Sequence, residues 1–195
     1  PSGNAYIATI DSIRESTDGG LTWIPHNLGI GVNDQVFDIA VDPSNPSNLW
    51  AGIADASGGQ PVNVMRSTDG GATWGNRTPP LPQPLSCRAI AVDPGDSNTV
   101  IAVFAGFTGG GQVWVTTDGG GMWTNRSAGL PNNPMQAVVY DGTRLLVGGG
   151  QLFGSQNVGL YESTNLGMNW SPLHNGTWPR LVVWDIAVDP NDSQT

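Results

Sequence analysis

Four copies of one eight-residue phrase, a second phrase that keeps step with it, and the absence of helical periodicity predict an all-β fold. The architecture they predict is a β-propeller of four-stranded antiparallel blades. The first phrase is Ser16-Thr17-Asp18-Gly19-Gly20-Leu21-Thr22-Trp23, and it returns at 67–74, 116–123 and 163–170. Its third position falls at Asp18, Asp69, Asp118 and Asn165, a period of about fifty residues, as expected of stacked β units. The second phrase, Phe37-Asp38-Ile39-Ala40-Val41-Asp42-Pro43, returns at 88–94, 136–142 and 184–190.

The second copy spells out one unit. Residues 37–41 alternate large and small apolar side chains, and Asp42-Pro43-Ser44-Asn45-Pro46 supplies turn residues that preset φ or bond their own backbone. Residues 49–54 read as the second strand, Gly58-Gly59-Gln60-Pro61 as a loop, 63–67 as the third strand and 72–77 as the fourth. The blade units predicted in this way cover about 5–30, 36–80, 87–130 and 135–175 of a single 1–195 region, with 183–188 as a further first strand.

The repeated phrase has a physical reason for its spelling. In a tight turn between strands three and four, the Asp accepts bonds from nearby amides while glycines take positive φ. The Trp then buries a large ring between units. Asn165 can still accept such bonds, but Leu166 replaces the first glycine of the fourth copy and leaves its geometry open.

These residues resemble the Asp-box, or BNR, repeat, Ser/Thr-x-Asp-x-Gly-x-Thr-Trp. Copies one and two match it fully; copy three has Met122 at the Thr position, and copy four has Asn165 and Asn169. The resemblance implies structural roles for Asp18, Trp23, Asp69, Trp74, Asp118, Trp123, Asn165 and Trp170. The chain is similar to sialidases, xyloglucanases, sortilin-type receptor domains and photosystem assembly factors of this repeat class. That diversity makes the motif the name of a fold rather than of a reaction.

Composition agrees. The chain has 195 residues with 28 Gly and 15 Pro, as a turn-rich β protein requires. Net charge is −9, and all seven cations are arginine. An acidic chain without a basic stripe argues against nucleic acid and against anionic membranes, and no apolar run is long enough to span a bilayer. Cys87 aligns with Val36 and Met135 and reads as a small buried hydrophobe. Five Asn-x-Ser/Thr sequons occur, at Asn76, Asn125, Asn169, Asn175 and Asn191, against about two expected by chance. Asn76 and Asn125 fall on the outermost strand, and these two with Asn175 are the candidates for a glycan.

Residues 5–10 align with a second strand, and 183–188 with a first. Two readings of the ring follow: closure by pairing of 183–188 with 5–10, or blades of a larger propeller, the second being favoured. Two chains forming an eight-bladed ring is a third.

In this strand order the repeat turns and the Asp-Pro turns share one rim, and binding is expected on the other. That rim is expected to hold His26, Asp34, Asp55, His174, Trp178 and Arg180. Trp178 beside Arg180 in a polar loop is the best platform for a sugar or peptide; the competing reading is a Trp that plugs the ring. A glycosidase needs two carboxylates flanking the scissile bond. Asp34 and Asp55 are the weak candidates, with Asp38 and Asp185 matching each other at the entry to first strands, where a hydrogen-bonded channel residue is the plainer reading. Glu15 and Glu162 stand on third strands and read as blade-surface residues without a Tyr partner on the rim. The sialidase Arg-Ile-Pro segment and the xyloglucanase Asp-Ile-Gly-Gly segment are both missing.

Asp42-x-x-Asn45, Asp93-x-x-Asp96 and Asp189-x-x-Asp192 lack the dense acidic spacing of a calcium loop and read as Asx turns. His26 and His174 have no Cys or third His for zinc. No cofactor or metal is therefore expected. The expected function is an extracytoplasmic, non-catalytic recognition or scaffold unit, secreted or at the cell surface. Its partner is a glycan or a protein, with association with another chain or with further blades. The alternative is a glycoside hydrolase of the sialidase or xyloglucanase kind, whole or in part.

Overall fold

The computed structural model describes residues 3–31, 34–54, 63–106, 110–150, 157–173 and 182–189, and among these every regular element is a strand. Blade 1 contains β1 (Ala5–Ala8), β2 (Ile13–Ser16) and β3 (Ile24–His26). Blade 2 contains β4 (Gln35–Val41), β5 (Leu49–Ala54), β6 (Val64–Ser67) and β7 (Gly75–Asn76). Blade 3 contains β8 (Ser86–Asp93), β9 (Asp96–Ala105), β10 (Gln112–Thr116) and β11 (Thr124–Asn125). Blade 4 contains β12 (Met135–Tyr140), β13 (Leu145–Gly150), β14 (Asn157–Ser163) and β15 (Ser171–Pro172). Each sheet is an antiparallel meander in chain order; blades 2 to 4 have four strands and blade 1 has three.

The period of two along each middle strand sorts side chains into separate cores between blades. On β9, Val100, Ala102 and Phe104 pack toward Trp50 and Val64 of blade 2, while Ile101 and Val103 pack toward Met135, Leu145 and Val147 of blade 4. On β5, Trp50 faces blade 3, and Ala51 and Ile53 join Ile13 and Leu28 of blade 1. Strands buried on both faces are apolar throughout, which is why β9 and β13 read as continuous hydrophobic runs. Trp50, Trp114 and Cys87 are core residues, as expected, and burial pushes the Cys87 thiol well up.

All four repeat turns close the same way. The hydroxyl of Ser16, Ser67, Thr116 or Ser163 donates to the Asp or Asn two residues on (2.8–2.9 Å) and accepts the amide four residues on. The same Asp or Asn oxygen accepts the amide of Thr22, Thr73, Met122 or Asn169 at 2.8–2.9 Å. Asn165 thus keeps the turn, and Leu166 takes the left-handed φ of 53° that glycine takes at Gly19, Gly70 and Gly119. Bonds from Thr22 and Thr73 hold the Asp18 and Asp69 carboxyls down to about 2. Asp118 is also lowered, with the Met122 amide first among its causes. The turns share their rim with the strand-one to strand-two turns, since Gly70 N donates to Ser47 O (2.9 Å) and Gly119 N to Asn98 O (3.0 Å).

The second glycine of the second, third and fourth turns touches the preceding blade. A Cβ on Gly71 would lie 3.1 Å from the His26 ring; on Gly120, 3.0 Å from Arg77; on Gly167, 2.8 Å from Arg126. His26, Arg77 and Arg126 each stand three residues after their own repeat Trp. The next Trp fastens the contact in two cases: Trp123 Nε1 donates to Arg77 O and Trp170 Nε1 to Arg126 O, both at 2.8 Å. Arg66 adds a bridge, lying over Trp50 and donating to Gly119 O (2.9 Å).

This contact also accounts for two sequons. In Asn76-Arg77-Thr78 and Asn125-Arg126-Ser127 the Asn oxygen accepts the amide two residues on (2.8 Å). The Thr78 and Ser127 hydroxyls accept amides at the head of the third strand, from Asn63 (2.8 Å) and Val113 (3.0 Å). Asn76 and Asn125 are exposed, and their spelling serves the outer strand whether or not sugar is attached. Asn175 lies outside the described residues.

Residues 183–188 differ from expectation. They form no strand and do not pair with β1, whose one sheet neighbour among the described residues is β2. Val183 N instead donates to Gly149 O (3.3 Å), and its side chain occupies the space that a Cβ on Gly148 would fill. The glycines of β13 leave room for a side chain from outside the sheet, and Val183 takes it.

Two expectations follow. Gly120→Ala should destabilise the chain by more than about 2 kcal/mol in urea denaturation, because it adds a clash with Arg77 and Trp50 to left-handed strain. Gly70→Ala, with nothing within 4 Å of its Cβ, should cost only the strain, about 1–2 kcal/mol; equal losses would mean that the inter-blade contact contributes little. The second concerns acid. Asp18 and Asp69 are depressed when folded, so their contribution is present above an unfolded pKa of about 4 and is lost as pH falls toward about 2. Asp69→Asn should fold, as the fourth turn does with Asn165, and should lose less stability than the parent between pH 7 and pH 3; identical losses would contradict the assignment.

Candidate functional site

Each complete inner strand carries a β-bulge at the same place. The register slips between Val36 and Asp38 on β4, between Cys87 and Ala89 on β8, and between Met135 and Ala137 on β12. The extra residues are Phe37, Arg88 and Gln136. A bulge re-aims a side chain that strict pleating would bury or hide, and here three blades aim one residue each at a common centre. Trp184, the equivalent position of the fourth phrase, joins them although its segment is not a strand. The four residues line one pocket of about 430 Å³ with Asp38 and Asp185, within the usual range of about 300–1,000 Å³ for ligand clefts.

The chemistry of this mouth is mixed. Trp184 and Phe37 are exposed at 57% and 40%. The Arg88 guanidinium lies 4.2 Å from the Phe37 ring centre, a cation–π geometry. Arg88 is half-buried, and that burial pulls its pKa down. Its Nε is buried without a hydrogen bond, and Arg88 has no ion-pair partner among the described residues. Asp38 is engaged by backbone: Oδ1 accepts from Ile39 N and Oδ2 from Ile90 N of the next blade, both at 2.8 Å. Burial first, and the Asp185 charge in addition, raise its pKa against those two bonds. Asp185 repeats the local half of this pattern, accepting Ile186 N at 2.8 Å.

The residues singled out from sequence are distributed differently. His26 is not at the mouth. It lies on β3 with Nε2 2.9 Å from Glu15 Oε2 and its ring against Gly71, on the repeat-turn side. Glu15 accepts a hydrogen bond from Tyr6 OH at 3.1 Å across the β1–β2 pair, on the blade face rather than on the rim. Glu162 lies 3.9 Å from Arg144. Asp34 is buried and accepts Gly31 N at 2.8 Å, closing its own loop, with Oδ1 unpartnered among the described residues; it does not line the mouth pocket. Asp55, His174, Trp178 and Arg180 lie outside the described residues.

Asp42, Asp93 and Asp96 cap local amides as Asx turns. The described residues contain no cluster of His, Cys, Asp or Glu fit for a metal ion.

The signal for the mouth was present in the second phrase. Its first position holds Phe, Arg, Gln and Trp while the positions around it repeat, so it is the place where blades differ on a common frame.

No family model matches the chain, and no curated protein matches it. Solved structures do. An ancestral GH74 enzyme is 25% identical with a TM-score of 0.68, over 89% of this chain and 22% of its own. The GH74 xyloglucanase from Xanthomonas campestris is 17% identical with a TM-score of 0.70, over 96% and 32%. YCF48 bound to D1 peptide is 16% identical with a TM-score of 0.63, over 88% and 52%. The chain thus spans between about a fifth and half the length of these neighbours. Its meander sheets, its cores between blades and these likenesses together make it a β-propeller unit.

Proposed function

We propose that this unit is a non-catalytic recognition or scaffold module outside the cytoplasm, secreted or at the cell surface, that holds a glycan or protein at the mouth formed by Phe37, Arg88, Gln136 and Trp184. The observation that carries the reading is the convergence of those four bulge-position side chains on one pocket whose neighbouring carboxylate, Asp38, is tied to two amides. Exposed rings give a stacking face, and the guanidinium and amide give directed hydrogen bonds. We read the four repeat turns as Asp-boxes, which carry structure on the opposite rim.

A second reading is supported by two observations. Asp38 and Asp185 share the pocket, with Asp38 raised in pKa, and the fold resembles GH74 enzymes. A raised carboxyl beside an ionised one is how a glycosidase separates acid from base. Against it, both Asp38 oxygens already accept amides, and such bonds favour the carboxylate over an acid that donates to a leaving group.

The purified chain should release no reducing sugar from xyloglucan and no sialic acid from sialosides at high protein concentration. Turnover that disappears in both Asp38→Asn and Asp185→Asn variants would replace the binding reading by the hydrolytic one.

A further inference from the structure

Arg88 is the feature of the mouth that the fold does not need. The other two inner strands place Phe37 and Gln136 at the same bulge, so the bulge itself does not call for a cation. Two other arginines have a buried nitrogen without a partner, but Arg126 sits in the contact with Gly167 and Arg144 pairs with Asp141. Arg88 alone of the three faces the mouth, over the Phe37 ring and with no ion-pair partner among the described residues.

A guanidinium packed over a ring face has its position restricted, and its edge can present a fork that matches a carboxylate in two parallel bonds. We propose that the mouth recognises a carboxylate carried on a pyranose ring, a uronic acid residue of an otherwise largely neutral glycan, with Arg88 as the anion-binding arm. This rests on the recognition reading above and names its ligand class.

Three observations favour a uronate. Trp184 is an exposed indole lining the same pocket, and an indole suits the C–H face of a pyranose. Gln136 and Asp185 stand on the pocket wall as hydrogen-bonding groups; Asp185 spends one oxygen on Ile186 N and can accept a hydroxyl with the other, whereas it would repel a second carboxylate. The net charge of −9 disfavours a dense polyanion and leaves isolated acidic sugars on a neutral chain.

The test is calorimetric titration of the chain with methyl β-glucuronoside and methyl α-galacturonoside, against their uncharged methyl esters, methyl β-glucoside, and N-acetyl-alanyl-alanine as a peptide carboxylate. The expected result is that at least one uronoside binds at least about tenfold more tightly than its ester, that Arg88→Gln abolishes this preference, and that Trp184→Ala weakens both. Arg88→Lys keeps the charge without the fork and should retain only part of the preference; it also serves if Arg88→Gln fails to fold, as judged by circular dichroism.

Equal binding of uronoside and ester, or a preference that survives loss of Arg88, would overturn the uronate assignment while leaving recognition at the mouth intact. Binding of the peptide carboxylate with neither uronoside bound would overturn it in favour of a protein ligand. Binding of none of these, with xyloglucan oligosaccharides also inert, would count against the glycan reading itself.

Discussion

The structure depends on the absence of a side chain at the second glycine of three of the four repeat turns. At Gly71, Gly120 and Gly167 the backbone of one blade lies against His26, Arg77 and Arg126 of the blade before it. These positions have φ of 92°, 88° and 77°, so the turn demands glycine for its conformation and the neighbouring blade demands it for its space. Each turn therefore both ends a hairpin and sets the distance to the next sheet, and the Trp that follows adds a hydrogen bond across the joint in blades 3 and 4. At Gly20, which has no preceding blade among the described residues, a Cβ would meet only its own Trp23.

A fixed distance at the outer rim gives the inner rim its geometry. With sheets spaced by the turn contacts and filled by three apolar cores, the inner strands β4, β8 and β12 come together. Their bulges then direct Phe37, Arg88 and Gln136 to one place. The division of labour is physical: the turn rim spends its polar groups on itself, as the depressed Asp18 and Asp69 carboxyls show, while the mouth leaves rings and a guanidinium unspent. Asp38 belongs to both, since it lines the mouth and yet bonds Ile90 of the next inner strand.

Much of the fold was legible in the sequence because its signals are local and repeated. Apolar alternation, Asp-Pro turns and the Ser-x-Asp-x-Gly phrase each act within a few residues, so strand order and the shared rim of the turns followed. Asn165 and Leu166 kept the fourth turn because the bond needs an oxygen rather than a charge, and because one non-glycine residue can bear a left-handed φ. The site was less legible. His26 was misread because proximity to a loop says nothing of which blade the ring will meet. The Tyr6–Glu15 pair joins residues nine apart that face each other only through strand register. The mouth is hard to read in the sequence because a bulge moves one residue out of the alternation that marks a strand.

The account divides the molecule into a structural rim and a recognition rim, and proton NMR of the tryptophan indoles tests that division most directly. Under titration with a soluble glycan ligand, the Trp184 indole resonance should move while those of Trp23, Trp74, Trp123 and Trp170 stay in place. Movement of the repeat-turn indoles with Trp184 unmoved would contradict it and transfer recognition to the opposite face.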